Sequence, residues 1–233
     1  MGINKALTVN RSNNLVQASY YLTLNEKRLI EACIAKVSTK KGIPDRIEIT
    51  AEEFCSAFPA IKPNESYKAL KRATSELYER SIKIMGEKLG EEIDFRWIDA
   101  KVRYSEEDAK VSISFTKWVK PYLTELQGGY TTYRLLDIGR LKSAHAIRLY
   151  ELLMRYQDTG FRIDKLSDLK HFFGVQDKYP RWVDFNRWVI TPSIKNINES
   201  SNWKVTYKAI KKGRKIDRIE FKFNLKDQPL LDL

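Results

Sequence analysis

Apolar positions along this 233-residue chain follow two periods, and the order in which the periods alternate occurs twice. In the first half a helical stretch from Leu24 to Val37 sets Leu24, Ile30, Cys33, Ile34 and Val37 on one stripe. The short apolar run Ile47-Glu48-Ile49 follows, then a compact helix Ala51–Phe58. A longer helix from Tyr67 to about Arg80 places Tyr67, Leu70, Ala73 and Leu77 on one face. Strict alternation then takes over: Ile98, Ala100, Val102 and Tyr104 go out, the polar Ser105–Asp108 turns, and Val111, Ile113 and Phe115 return. In the second half the same order reads Ala144–Tyr156, Phe161–Ile163, Lys165–Phe173, Trp182–Asn198 and a hairpin from Trp203 to Phe223. Phe58 to Tyr67 and Phe173 to Trp182 are separated by the same number of residues.

Helix boundaries are marked by side-chain chemistry. Thr23 with Glu26, and Thr50 with Glu53, are capping boxes in which each partner satisfies an amide of the first turn. The first excludes a leucine zipper through Leu15, Leu22 and Leu29, because a helix that begins at Leu24 cannot run on from Leu15. A last helix of the first half is expected after Thr116, interrupted by Pro121 and ending at Gln127. Gly128-Gly129 is the expected boundary.

Two helices joined by a short turn and followed by a β-hairpin make a helix-turn-helix with a wing. Two copies in register predict an α+β protein of two tandem winged-helix domains. The expected organisation is a loose arm over 1–14, an N-terminal domain over 15–127, a C-terminal domain over 130–225 and a tail over 226–233.

Charge separates the copies. Residues 1–127 hold 21 Lys/Arg against 18 Asp/Glu, whereas residues 128–233 hold 21 against 12, so most of the net +12 lies in the second half. One domain is therefore expected to meet a polyanion. No apolar run approaches the ~20 residues of a membrane span, and no secretory signal is evident, so a cytoplasmic protein without a membrane partner is expected. Cys33 and Cys55 read as small buried hydrophobes. His145 and His171 lie on separate helices, with no His-x-His pair for metal-dependent nicking. A Walker lysine after Gly86 and Gly90 and a Gly-x-Ser-x-Gly motif are both missing. No enzyme activity, metal or cofactor is expected.

The helix from Trp182 carries the candidate site. Trp182, Phe185 and Val189 form its packing side; Val183, Asp184, Arg187 and Thr191 lie opposite, with Asn186 at the edge and Arg181 at the start. Arg181, Val183, Asn186 and Arg187 are the base-reading candidates. Arg can donate twice to guanine, Asn can pair with adenine, and an apolar side chain can meet a thymine methyl. A solvated amphipathic helix is the plain alternative. Lys211, Lys212, Arg214 and Lys215 surround Gly213 in the hairpin turn, and with Lys178 and Lys195 they are the phosphate candidates. Pro192 removes the amide bond to Trp188, so a kink near Thr191 is expected, with the apolar set moving to Ile190, Ile194 and Ile197. In the first half Lys68, Lys71 and Arg72 are candidates for auxiliary backbone contact, or simply solvated surface. The hairpin Trp97–Phe115, with its Glu106-Glu107-Asp108 tip, is a candidate protein–protein edge.

These residues resemble a known family. Asn14-Leu15-Val16-Gln17-Ala18-Ser19-Tyr20 with Leu24-Asn25-Glu26-Lys27-Arg28-Leu29-Ile30 is similar to the N-terminal signature of iteron-binding plasmid replication initiators. So are Ala146–Leu153, the run from Asp184 to Val189 leading into Pro192–Asn198, and the Lys211-Lys212-Gly213-Arg214 turn. The resemblance implies binding to repeated double-stranded origin sites, base reading by Arg181 and Arg187, and a homodimer formed through the N-terminal domain. It further implies repression of the protein's own promoter and host partners that include the replication initiator, helicase and chaperones. Asn186 departs from the additional basic residue expected there. Tandem winged helices also suit a plain transcriptional repressor, and a strand-nicking enzyme is the third alternative. The tail Gln228-Pro229-Leu230-Leu231-Asp232-Leu233 has the Q-x-x-L-x-L form of sliding-clamp peptides, with Gln228, Leu231 and Leu233 as contacts and a frayed terminus as the alternative.

Overall fold

A computed structural model describes residues 7–37, 42–85, 91–104, 107–124 and 129–226. The tail candidates Gln228, Leu231 and Leu233 lie outside the described residues, as do Glu106 of the first hairpin tip and Gly128. The chain divides into two compact units, Met1–Arg140 and Leu141–Leu233.

In the first unit, helix α2 (Leu24–Ala35) precedes β2 (Ile47–Thr50), α3 (Ala51–Ala57) and α4 (Pro63–Leu77), and β5 (Ile98–Arg103) and β6 (Lys110–Phe115) form the hairpin. Both capping boxes are formed: Thr23 and Thr50 each accept from the amide three residues on, and Glu26 and Glu53 each accept from the cap amide. The sheet order is β2-β6-β5. A further hairpin, β3 (Ser81–Met85) with β4 (Glu92–Arg96), stands between α4 and β5. Helix α4 starts four residues before the expected Tyr67, because Pro63 suits a first helical turn in which its missing N–H costs nothing. Residues 117–120 form a turn rather than helix, and α5 (Pro121–Thr124) begins at the proline for the same reason.

The second unit repeats the order. Helix α7 (Ala144–Met154) leads to β8 (Phe161–Lys165), α8 (Leu166–Phe172), the helix from Trp182 and the hairpin β9 (Trp203–Lys212) with β10 (Lys215–Leu225). The sheet order β8-β10-β9 matches that of the first unit, the short strand joining the second arm of the hairpin in both. Both units are winged helices. The alternation read from the sequence is the observed register, with Val205 opposite Phe223, Tyr207 opposite Phe221 and Ala209 opposite Ile219. The core gathers Phe173, Phe185, Val189, Ile190, Ile197, Ile219 and Phe221, all buried. Each such aromatic or branched side chain contributes about 1.5–3 kcal/mol by leaving water.

Three expectations are corrected. The 1–14 segment is not wholly a loose arm: Thr8–Ser12 forms β1, paired with β7 (Tyr130–Arg134), and Asn13–Gln17 forms α1. The boundary falls after Arg140 rather than at Gly128-Gly129, since β7 and α6 (Leu135–Gly139) belong to the first unit. Gly139 is needed there, because a Cβ would stand 2.4 Å from the Ala57 carbonyl oxygen. Helix α2 is also not merely striped: Glu26, Lys27, Arg28 and Glu31 are buried along with its apolar residues. Their charges meet inside. Glu31 accepts from Arg11 at 2.6 and 2.7 Å and from Tyr133 at 2.7 Å, and the Lys27 ammonium lies 2.7 Å away. Burial alone would raise the Glu31 carboxyl, but Arg11 and Lys27 outweigh it and hold the pKa at about 2.

Candidate nucleic-acid interface

The helix after Pro180 has three parts: α9 (Trp182–Phe185), a π turn (Asn186–Ile190) and α10 (Thr191–Ser200). Pro192 has no N–H for the Trp188 carbonyl, and the chain answers by widening the turn, so that the Thr191 amide bonds five residues back to Asn186. The extra residue advances the buried stripe from Phe185 and Val189 to Ile190, Ile194 and Ile197. The expected break at Thr191 thus takes the form of a π turn, and the phase jump read from the sequence is its signature.

The turn before α9 is held from α8, where the Lys170 ammonium donates to the Pro180 carbonyl at 2.6 Å. Val183 is 66% exposed and Arg187 is exposed. The Arg187 guanidinium lies 5.1 Å from the ring centre of Trp188, itself 57% exposed. Arg181 is exposed, but its Nε and Nη2 donate to Asp184 at 2.7 and 3.0 Å, a pair that raises the guanidinium pKa and lowers the carboxyl. Asn186 is half-buried, with its Oδ1 accepting from the Tyr207 hydroxyl of β9 at 2.7 Å and from the Thr191 hydroxyl at 3.3 Å. That contact ties the hairpin to the helix.

Lys211, Lys212, Arg214 and Lys215 are all exposed around the two-residue turn Gly213-Arg214. Gly213 has φ +65°, the left-handed conformation that such a tight hairpin turn demands. Lys178 is exposed beside Tyr179, and Lys195 is exposed 3.8 Å from Glu199. In the first unit the candidates are more engaged. Lys68 is exposed, Lys71 lies 4.6 Å from the Tyr67 ring centre, and Arg72 donates to Glu76 at 2.7 Å.

The sequence places Thr191 on the open face but gives no sign of its contact, or that of Tyr207, with Asn186, nor of the exposure of Trp188. Trp188 lies within the π turn, beside the packing phase, and is exposed. The apolar shift after Pro192 was the available signal of that turn. Among the described residues, no helix is long and apolar enough to cross a membrane, and no three His, Cys, Asp or Glu side chains cluster as metal ligands would.

Two winged helices, one with exposed cations on both its second helix and its wing, define a DNA-binding protein of the tandem helix-turn-helix class. The chain matches the family model described as "Initiator Replication protein, WH1" over residues 8–154 and "Initiator Rep protein, WH2" over 165–223. It belongs to the replication initiator family. Among curated relatives, a "Replication initiation protein" of Escherichia coli is 28% identical over 95% of this chain and 71% of its own length. The "PI protein" of Escherichia coli is 24% identical over 96% of this chain and 84% of its own. The fold is that of a solved Pi initiator protein in complex with iteron DNA, with TM-score 0.81 and 24% identity over 97% of this chain and all of the other.

Proposed function

We propose that this chain initiates plasmid replication by binding repeated double-stranded sites at an origin, as a binding protein rather than an enzyme. The supporting observation is the open, cationic start of the second-unit helix beside the cationic wing. In this reading α9 enters the major groove. Arg187 and Val183 meet base edges, and Arg181 does so with Asp184 steadying its guanidinium, which keeps donors to spare. Lys211, Lys212, Arg214 and Lys215 hold phosphates, with Lys178 and Lys195 flanking them. Lys68 of the first unit adds a backbone contact, and that unit also forms the homodimer that represses the protein's own promoter. Host replication proteins are recruited to the opened origin, with the tail residues Gln228, Leu231 and Leu233 docking on the sliding clamp.

Footprinting on the DNA upstream of the gene tests the core of this reading: regularly spaced protected repeats are expected, and uniform protection would contradict it. A plasmid carrying the gene and those repeats should replicate; protected repeats that never fire would favour a plain repressor. Supercoiled origin DNA incubated with the protein and a divalent metal should stay supercoiled. Clamp affinity unchanged after deletion of residues 228–233 would remove the docking role.

A further inference from the structure

Trp188 is 57% exposed, although tryptophan is among the residues that bury most of their surface. The other tryptophan of the same helix, Trp182, is half-buried, its ring centre 6.4 Å from that of Phe185. The core does not call for Trp188, because Val189 and Ile190 already fill the inward positions of the π turn. What lies against the indole is the guanidinium of Arg187, 5.1 Å from the ring centre.

A guanidinium over an aromatic face is attracted by the ring, and its own plane of N–H groups stays clear. Arginine carries five such donors in that plane. Among the described residues no hydrogen bond or salt bridge engages those of Arg187, and Asp184 feels its charge without an ion pair forming. Arg181 is the contrast. Its Nε and Nη2 donate to Asp184 at 2.7 and 3.0 Å, so part of its fork is spent within the protein. The indole restrains Arg187 without spending a donor. Restraint matters before DNA arrives, since binding must otherwise order a long, rotamer-rich side chain.

We propose that Trp188 is the positioning residue for Arg187: its indole face holds the guanidinium in one orientation, with the donor fork open to guanine, and Trp188 itself reads no base. Guanine O6 and N7 lie side by side and accept both protons of such a fork. The inference rests on α9 and its π turn entering the major groove, as proposed above.

The test is binding of the full-length protein to a duplex carrying one protected repeat and to a scrambled duplex of the same composition. Trp188→Leu and Trp188→Gln both remove the π face from an exposed position. Each should cut the preference for the repeat by about three- to tenfold, with the thermal melt and the affinity for scrambled DNA near wild type. Trp188→Phe restores a π face and should recover most of the loss. The deciding measurement is a double-mutant cycle with Arg187→Ala. Once residue 187 is alanine, Trp188→Leu should cost nothing further. Additive losses would mean that Trp188 meets DNA on its own and would overturn the proposal. So would full preference in both Trp188→Leu and Trp188→Gln, or Trp188→Phe behaving as they do. Wild-type preference in Arg187→Ala would instead overturn the base-reading role of Arg187, and this inference with it.

Discussion

The two units share one scaffold and use charge in opposite ways. The first holds 23 Lys/Arg against 19 Asp/Glu, the second 19 against 11. In the first unit many of the cations answer acids of the same unit. Glu31 gathers Arg11 and Lys27 inside the core, Glu26 takes Arg80 at 2.8 Å, Glu53 takes Lys36 at 2.7 Å, and Glu76 takes Arg72. In the second unit Arg187 and the cations of the Lys211–Lys215 turn are exposed, and of the helix-tip cations it is Arg181 that pairs with Asp184, whose carboxyl also feels the charge of Arg187. A winged helix is thus no guarantee of a nucleic-acid surface. Unanswered cations supply the field that meets phosphate, whereas paired ones consolidate the fold.

The contrast can be broken most strongly at Glu31. Glu31→Ala leaves Arg11 and Lys27 buried without their acid and should destabilise the first unit by about 3–5 kcal/mol, read from denaturant unfolding. No loss would mean that water or rearrangement already satisfies those cations.

Acid should separate the units next. Burial lowers the His145 pKa to about 4, and Arg148 and Lys178 add to the shift. The folded value lies below the unfolded one near 6.5, so the unfolded state binds the extra proton between them. Stability is complete above about pH 6.5 and falls as pH drops towards 4, by about 3 kcal/mol. Glu31 shifts in the same sense but in a lower window, from about 4.3 down to about 2. The second unit should therefore weaken first on acidification. His145→Leu should flatten its melting curve between pH 6.5 and 4; an unchanged slope would place the sensitivity elsewhere.

Binding variants sharpen the comparison. Arg187→Ala should lose about 1–3 kcal/mol on the specific site and little on random DNA. Lys212→Ala should weaken all sequences alike and reduce the slope of log K against log salt by about 0.9. Equal loss on both kinds of DNA for both variants would remove the division between base and phosphate roles. The smallest effect is expected at Arg72→Ala, which gives up only an exposed helix pair with Glu76 and should leave both the melting temperature and DNA affinity nearly unchanged.

Much of the fold was legible because its signals are local. Thr23 with Glu26 and Thr50 with Glu53 mark helix starts within four residues of each other, and period-2 alternation marks both arms of the second hairpin. Arg187, Val183 and the wing cations were legible as exposed positions for the same reason. Asn186 was legible as a position on the helix, but its partner Tyr207 lies 21 residues away, and no local pattern reveals that contact.

The sequence by itself determined the order of helices and hairpin that the two units share, the two capping boxes, the apolar phase jump at Pro192 and the basic half, since each depends on residues close together or on a simple count. Tertiary structure decided what distance in the chain conceals. Strand β1 finds β7 across more than a hundred residues, and Arg11 and Tyr133 converge on Glu31 from 20 and 102 positions away. A buried charge persists only where its partners arrive, and which partners arrive is settled by the packing of the whole unit.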